Sequence, residues 1–231
     1  MKVPREKQDS RLMQAMFDAI APRYDFVTRA FSAGLDRKWK RDAVREANLP
    51  SGATVLDLAS GTGDFSLLVR ERDPAARPVA VDLTHSMLVY GKIRGLPEAV
   101  CGDAMLLPFS DGMFDAAFVG FGLRNFPDLQ TALSELRRVL KPGGTLVIYD
   151  FFLPEPRLWR WIYLGYLYLQ GAFWGLLLHG KARIYTYIPD SLRAFTTTSK
   201  LAALLEALGY EQVRTRSLVF GGLAIQWALK R

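Results

Sequence analysis

Three acidic residues and a pair of glycines stand where their chemistry could form a binding site. Asp57 precedes the loop Ser60-Gly61-Thr62-Gly63, Asp82 comes 19 residues after Gly63, and Asp103 follows a further short apolar run. Gly61 and Gly63 permit a tight turn and a close approach of the backbone to a ligand at a helix N-terminus. A carboxylate after the second strand can accept hydrogen bonds from ribose hydroxyls. The spacing therefore predicts a site for a ligand that contains a nucleoside.

The acidic residues decide which nucleoside ligand fits. A dinucleotide presents a pyrophosphate, which Asp57 and Asp64 would repel, and its third fingerprint glycine would fall at Ser66. S-adenosylmethionine (SAM) carries an ammonium and a sulfonium, both cationic, and Asp103 could accept a hydrogen bond from the adenine amino group. The residues favour SAM. The alternative is that Asp57 and Asp103 only cap turns.

The elements that must position these residues alternate along the chain. Short apolar runs separated by helical stretches are typical of a parallel sheet covered on both faces. Near the end, Gly221-Gly222 separate two runs that read as an antiparallel hairpin. We predict an α/β fold with a mostly parallel seven-stranded sheet and a C-terminal antiparallel hairpin, the class I Rossmann-like layout of SAM-dependent methyltransferases. The predicted strands are Thr54–Leu58, Pro78–Leu83, Ala99–Cys101, Phe114–Gly120, Thr145–Tyr149, Gln212–Phe220 and Leu223–Leu229.

Composition narrows the class of protein. The 231 residues suit one domain, and a single cysteine, Cys101, excludes a disulfide framework. His85 and His179 lie far apart, so we expect no metal site. The net charge of +7 is uneven, with 9 basic and 12 acidic residues in 51–150 and 10 basic and 4 acidic in 151–231. The acidic middle matches a cationic cofactor, and the basic flanks suit an anionic partner.

Four stretches resemble the ubiquinone/menaquinone biosynthesis C-methyltransferase family. They are Met16–Arg41, Val55–Asp64, Phe121–Asp128 and Tyr185–Phe195. The second is shared by many SAM methyltransferases, and the other three are specific to this family. The resemblance implies transfer of a methyl group from SAM to a ring carbon of a prenylated quinol precursor in menaquinone or ubiquinone biosynthesis.

The resemblance also implies roles for individual residues. Thr62, Asp82, Asp103 and Ala104 are expected to contact SAM, beside Asp57, Gly61 and Gly63 of the loop. Tyr24, Asp25 and Tyr187 are expected to cover the acceptor as a lid. The chain departs from the family at Thr28, Ser60 and Thr196, which leaves the cofactor residues untouched and bears on the fit of the quinone and its lid.

Arg124 and Asn125 follow the fourth strand, which borders the acceptor in this architecture. Arg124 is a fixed cation that can stabilise a phenolate, and Asn125 can orient a hydroxyl or a water, so we expect both to be catalytic. The proton is expected to leave through water because arginine is a poor base. The alternative is that Arg124 pairs with a carboxylate such as Asp128 and only shapes the loop.

An aromatic run, Trp161–Leu178, contains no charged residue and is flanked by Arg157, Arg160, Lys181 and Arg183. It just reaches the length of a membrane span, but it interrupts one folded domain, so we do not expect it to cross a bilayer. Aromatic residues beside basic ones suit a membrane interface, and we expect a helix that lines a channel for the prenyl tail and touches anionic lipid. The alternatives are a helix buried all round and the surface of a homodimer.

These observations give one methyltransferase domain over 1–231. Its expected parts are a helical cover (1–50), a SAM-binding core (51–152), an aromatic helical insertion and lid (153–195), and a C-terminal helix and hairpin (196–231). The charged first residues show no secretory signal, so we expect a cytoplasmic location with membrane association. An RNA methyltransferase is the rival enzyme, but the aromatics sit in an apolar run, so we expect no nucleic acid partner. A SAM-binding protein without activity is the non-enzymatic rival.

Overall fold

In a computed structural model that describes residues 10–32 and 34–231, one sheet organises the chain. Its strands follow the order β3-β2-β1-β4-β5-β7-β6. The first five pair in parallel, and β7 pairs antiparallel with both β5 and β6. The predicted seven-stranded sheet and its terminal hairpin are confirmed. The strands are β1 (Thr54–Leu58), β2 (Arg77–Asp82), β3 (Glu98–Cys101), β4 (Phe114–Gly120), β5 (Leu140–Phe151), β6 (Tyr210–Leu218) and β7 (Leu223–Lys230).

Helices cover both faces of this sheet and its carboxyl edge. Short 3₁₀ turns add Ala21–Arg23, Leu123–Asn125 and Val219–Gly221. The helices are α1 (Ser10–Ile20), α2 (Tyr24–Phe31), α3 (Asp36–Glu46), α4 (Asp64–Arg72), α5 (His85–Ile93), α6 (Leu129–Val139), α7 (Arg157–His179), α8 (Arg183–Arg193) and α9 (Thr198–Ala207).

Two apolar layers hold the helices on the sheet. Side chains alternate along each strand, so Leu146 and Ile148 of β5 pack with α6 and α9, whereas Val147 and Tyr149 pack with α3 and α4. The inner strands β1, β2, β4 and the second half of β5 are buried on both faces, which explains their near-continuous apolar sequences, whereas the edge strands β3 and β6 are largely exposed.

The fifth strand is longer than predicted. The Lys141–Gly144 cluster ends α6 as expected, but β5 already begins at Leu140. Leu140 pairs with Phe114, and the next pair is Thr145 with Ala116, so the cluster forms an irregularity within the strand. The chain therefore passes from helix to strand with no loop between them.

The aromatic run forms α7, which packs mainly against α8. One side of α7 is buried through Tyr163, Leu164, Leu167, Gly171 and Gly175. In the part of the chain that the structure describes, no helix combines the length and hydropathy needed to cross a bilayer.

Candidate active site

The carboxyl ends of β1 and β4 meet at the centre of the sheet. The strand order reverses between them, because β2 and β3 lie beyond β1 while β5 lies beyond β4. Loops leaving such a point run in opposite directions and open a crevice that binds ligands in α/β sheets. The glycine loop after β1 and the Phe121–Asn125 segment after β4 both border it.

The glycine loop turns through backbone conformations that favour glycine. Gly63 has φ +85°, and a Cβ there would lie 2.5 Å from Leu96. Gly61 has φ +56°, and a Cβ there would lie 3.5 Å from the Tyr24 ring. Both glycines therefore supply a left-handed backbone conformation, and at Gly63 a Cβ would in addition displace the Leu96 side chain.

A first cavity of about 860 Å³, including the part open to solvent, lies over the ends of β1, β2 and β4. Gly61, Asp82, Asp103 and Ala104 line it, as does Asn125. Asp82 accepts hydrogen bonds from the backbone N–H groups of Gly61 and Thr84, both at 2.8 Å. Burial raises the pKa of Asp82, and these two N–H groups oppose that rise. The predicted acidic wall exists, with Asp82 tied to the glycine loop.

Asp57 stands behind this wall rather than in it. It alternates with Leu56 and Leu58 along β1 and so points to the side where α4 packs. Its Oδ2 accepts hydrogen bonds from the backbone N–H and the hydroxyl of Ser66, both at 2.8 Å. Burial raises the pKa of Asp57 to about 7 despite these bonds. Asp57 thus holds the start of α4 in place.

Thr62 and Asp25 meet each other beside the cavity. The Thr62 hydroxyl donates to Asp25 at 2.7 Å, and Arg94 contacts both. Arg94 also pairs with Asp64 at 2.7 Å. Asp25, expected at the acceptor, instead fastens α2 to the glycine loop, because the guanidinium of Arg94 attracts it there. Neither Thr62 nor Gly63 lines the first cavity.

A second cavity of about 1270 Å³, again including its open part, adjoins the first. Its lining is mostly aliphatic and aromatic, from α2, α7 and α8. No carboxylate or imidazole of the described residues lines it. Tyr187 belongs to its wall, as the sequence predicted for the acceptor side. Such a cavity suits a large, neutral, apolar ligand.

Arg124 brings a buried charge to this apolar cavity. Its side chain is 4% exposed, and its Nη1 donates to Asp150 at 2.7 Å and to the Phe121 carbonyl at 2.6 Å. Its Nη2 donates to the Tyr187 hydroxyl at 3.2 Å. Burial would lower the pKa of Arg124, but Tyr187 and Asp150 raise it, so the guanidinium stays charged.

Arg124 does pair with a carboxylate, as the alternative in the sequence analysis stated, but the partner is Asp150 and not Asp128. Asp128 instead caps α6 by accepting from the backbone N–H groups of Gln130 and Thr131. Arg124 has a buried Nε without a hydrogen-bond partner among the described residues, and Asn125 has a buried Oδ1 in the same condition. Such groups are costly to bury without a partner, so a hydrogen bond from a ligand would be favourable at each of them.

Arg124 and Asn125 face different cavities. Arg124 lines the second and Asn125 the first, although they are neighbours on one 3₁₀ turn. Phe121 and Tyr24 line both cavities and form the boundary between them. Phe121 has φ +57°, a strained conformation for a non-glycine residue that is common at functional sites. Burial raises the pKa of Tyr24, so its hydroxyl stays protonated.

Sequence reasoning missed several residues of the walls. Phe17 lines both cavities and Met87 lines the first, but a single apolar residue gives no sequence signal for a ligand site. Lys40 was also missed. It is buried, pairs with Asp36 at 2.8 Å and Asp64 at 2.6 Å, and lies 5.4 Å from the Phe121 ring centre. Its spacing from Asp36, one helical turn away, was the available signal.

The first cavity fits SAM by the chemistry of its walls. The carboxylates of Asp82 and Asp103 suit hydroxyl and amino donors, and the orphaned Asn125 oxygen is a further acceptor. The aromatic and aliphatic side chains of Phe17, Met87 and Phe126 can hold a purine ring.

Comparisons with known sequences agree with this geometry. Residues 4–230 match the model of the ubiE/COQ5 methyltransferase family. A demethylmenaquinone methyltransferase of Thermus thermophilus is 42% identical over 91% of this chain and 97% of its own length. A ubiquinone/menaquinone biosynthesis C-methyltransferase of Geobacter sulfurreducens is 39% identical over 89% of this chain and 83% of its own length.

Comparisons with solved structures concern the fold alone. A SAM-dependent methyltransferase of Thermotoga maritima matches 95% of this chain and 100% of its own with a TM-score of 0.66 and 20% identity. One of Aquifex aeolicus matches 83% of this chain and 89% of its own with a TM-score of 0.58 and 21% identity. The predicted class I methyltransferase fold is confirmed.

Proposed function

The chain belongs to the ubiE/COQ5 methyltransferase family, and from this premise we propose that it methylates a ring carbon of a prenylated quinol precursor of menaquinone or ubiquinone. It is a SAM-dependent C-methyltransferase. The observation that carries the acceptor assignment is the meeting of two unlike cavities at Tyr24 and Phe121. One has carboxylates in its wall, and the other is apolar with a single buried guanidinium.

We assign the first cavity to SAM, which supplies the electrophilic methyl group when bound. Asp82 accepts from the ribose hydroxyls while its carboxylate keeps the glycine loop in place. Asp103 accepts from the adenine amino group, and Ala104 packs beside it. Asp57, Thr62 and Gly63 support the loop from behind, through α4 and α2.

The second cavity is assigned to the quinol. Its aromatic wall holds the ring and the beginning of the prenyl tail and excludes water, which would stabilise the separated charges of the two substrates. A quinol carbon becomes nucleophilic when the adjacent hydroxyl loses its proton. Arg124, fixed by Asp150, offers the free Nε–H to that oxygen and stabilises its negative charge.

The proton is proposed to leave through water. The ionisable side chains of the second cavity are Arg124 and five tyrosines. Burial raises the pKa of Tyr24 and that of Tyr163, which makes both of them poor bases. Asn125 lies at the boundary and can hold a water or the quinol hydroxyl through its unpartnered oxygen.

We further propose that the whole chain acts as one domain in contact with a membrane surface. Residues 1–50 provide the cover, of which 1–9 and 33 lie outside the described residues. Residues 51–152 provide the SAM site, 153–195 the lid and tail channel, and 196–231 the closing helix and hairpin. A prenylated acceptor resides in lipid, so the basic flanks of α7 are proposed to meet anionic headgroups.

The experiment is methyl transfer from labelled SAM to two demethylated quinols, a naphthoquinol and a benzoquinol, that carry the same short tail. We expect label on a ring carbon of at least one of them, identified by NMR of the product. The name of the Thermus relative, a demethylmenaquinone methyltransferase, favours the naphthoquinol. Label on oxygen, or no label on either quinol, would contradict the proposal. An RNA substrate serves as the control for the rival activity.

A further inference from the structure

One side of α7 carries large apolar side chains that no described part of the chain covers. They recur every three or four residues and so form a single stripe along the helix. Leu169, for example, is 77% exposed. A solvent-facing helix surface ordinarily carries polar residues, and a stripe of this extent marks an interaction site. The stripe consists of Leu158, Ile162, Tyr166, Leu169, Phe173 and Leu176, with Trp161 and Leu177 beside it.

The turn between β6 and β7 extends the stripe. Phe220 at its tip is 84% exposed, and its ring meets Trp159 of α7 edge-on at 5.7 Å. Val219 and Phe220 have φ +46° and +51°, an unfavourable conformation for bulky residues. The Tyr163 hydroxyl fixes the turn by donating to the Gly222 carbonyl at 2.7 Å. We name the stripe and this turn together the apolar outer surface.

The second cavity opens at the apolar outer surface. Its lining residues are buried or partly buried except for Leu35, Tyr166 and Val219, which are exposed and so mark its rim. Tyr166 belongs to the stripe and Val219 to the turn. The cavity wall and the outer surface are therefore continuous through these side chains.

Basic residues flank this surface at both ends of α7, and the nearest acidic residues in sequence, Glu155 and Asp190, contact Ser199 and Tyr168. Residues 156–189 contain Arg157 and Arg160 at one end, Lys181 and Arg183 at the other, and no acidic residue. All of α7 between these ends is uncharged apart from His179. Apolar and aromatic residues between basic ends match the layers of an anionic bilayer, in which each Lys or Arg near the surface adds attraction.

We propose that the apolar outer surface lies in the interface of an anionic bilayer and that the acceptor passes sideways from the lipid into the second cavity, between Leu35, Tyr166 and Val219. This inference rests on the proposed function for the identity of the acceptor. A second copy of the chain is not the occupant we assign. It would cover the rim of the cavity, and the basic ends of one copy would face those of the other.

The test compares two charged variants of the surface with one matched control. Leu169→Glu and Phe220→Glu place a carboxylate on the stripe and on the turn. Ile93→Glu does the same at α5, outside the surface, where the side chain is equally exposed at 76%. Each protein is floated with vesicles of neutral or anionic lipid. Each is also assayed on a long-tailed demethylated naphthoquinol in vesicles and on a tail-less naphthoquinol in buffer.

We expect the wild type and Ile93→Glu to float with anionic vesicles at low salt. We expect the two surface variants to stay unbound in the bottom fraction. We expect kcat/KM on the vesicle-borne quinol to fall at least tenfold in both surface variants and to stay within twofold on the tail-less quinol. Equal losses on both quinols, or a wild type that does not float, would overturn the inference. A dimer that Leu169→Glu dissociates would assign the surface to a second copy. If the wild type methylates neither quinol, the proposed function fails, while flotation still decides the docking.

Discussion

The buried pair of Arg124 and Asp150 allows stability and catalysis to be separated by mutation. The two side chains are 4% and 0% exposed and are joined at 2.7 Å. Removing one partner of a buried ion pair typically costs about 3–5 kcal/mol, because the remaining charge has no counterpart. Asp150 keeps hydrogen bonds from the backbone N–H groups of Leu123 and Phe151. We therefore expect Arg124→Met to lose about 3 kcal/mol of unfolding free energy, near the lower limit.

The double variant Arg124→Met/Asp150→Asn should recover much of this loss, because it leaves no unpaired charge. It should not recover methyl transfer, because the proposed mechanism relies on the guanidinium to stabilise the negative charge on the quinol oxygen. SAM affinity should stay near the wild-type value in both variants, since Arg124 lines only the second cavity. Urea unfolding, calorimetric titration with SAM and turnover of the demethylated quinol measure the three quantities separately.

The pH dependence of stability tests the Arg124–Asp150 pair independently. Burial raises the pKa of the Asp150 carboxyl, and Arg124 opposes this rise. In Arg124→Met the folded-state pKa therefore lies further above the unfolded value, so stability should increase as the pH falls through the folded-state pKa toward the unfolded value of about 4. The double variant should lack this increase. Wild-type turnover in either variant would refute the assigned role of Arg124, and wild-type stability in the single variant would refute the reasoning about the pair.

Three further predictions concern other parts of the molecule. The folded-state pKa of Asp57 is raised by burial to about 7, so stability should increase as the pH falls from 8 toward 5, and Asp57→Asn should flatten that dependence in urea unfolding. In α7, Gly175→Ala would bring a Cβ within 2.6 Å of a neighbouring backbone oxygen and should cost about 1–3 kcal/mol. In Gly165→Ala the new Cβ meets nothing within 4 Å, and the variant should gain about 0.5–1 kcal/mol of unfolding free energy. Equal unfolding midpoints for the Gly175 and Gly165 variants would contradict this packing. Asp25→Asn weakens the hydrogen bond from the Thr62 hydroxyl and should lower SAM affinity about two- to fivefold, as measured by calorimetry. Unchanged affinity would show that this contact does not influence the cofactor site.

The fold could be predicted because its signals are local. The first strand, the glycine loop and the hairpin each depend on a few consecutive residues whose pattern fixes the backbone, as at Gly221-Gly222. The start of β5 could not be predicted in this way. Lys141–Gly144 is a strong breaker in sequence, but pairing with β4 continues across it through a shift in register.

The partners of the site residues could not be predicted in the same way. Asp128 was the carboxylate near Arg124 in sequence, whereas Asp150 lies 26 residues away and reaches it because β4 and β5 end side by side. Asp25 likewise joins Arg94, 69 residues away. The pleat of β1 turns Asp57 toward α4, and only the packed sheet shows which face that is.

The two cavities open in different directions, and this has a consequence for how turnover is organised. The exposed residues that line the first cavity include Asp103 and Pro127, on the loops after β3 and β4. The second cavity opens instead between Leu35, Tyr166 and Val219. With the proposed assignment of the two cavities, the spent, water-soluble cofactor and the hydrophobic product would leave by separate routes. An enzyme seated on a bilayer could exchange one with the aqueous phase and the other with the lipid while staying attached. Its catalysis would then be processive along the membrane, and its rate would follow the surface density of quinol rather than the bulk concentration.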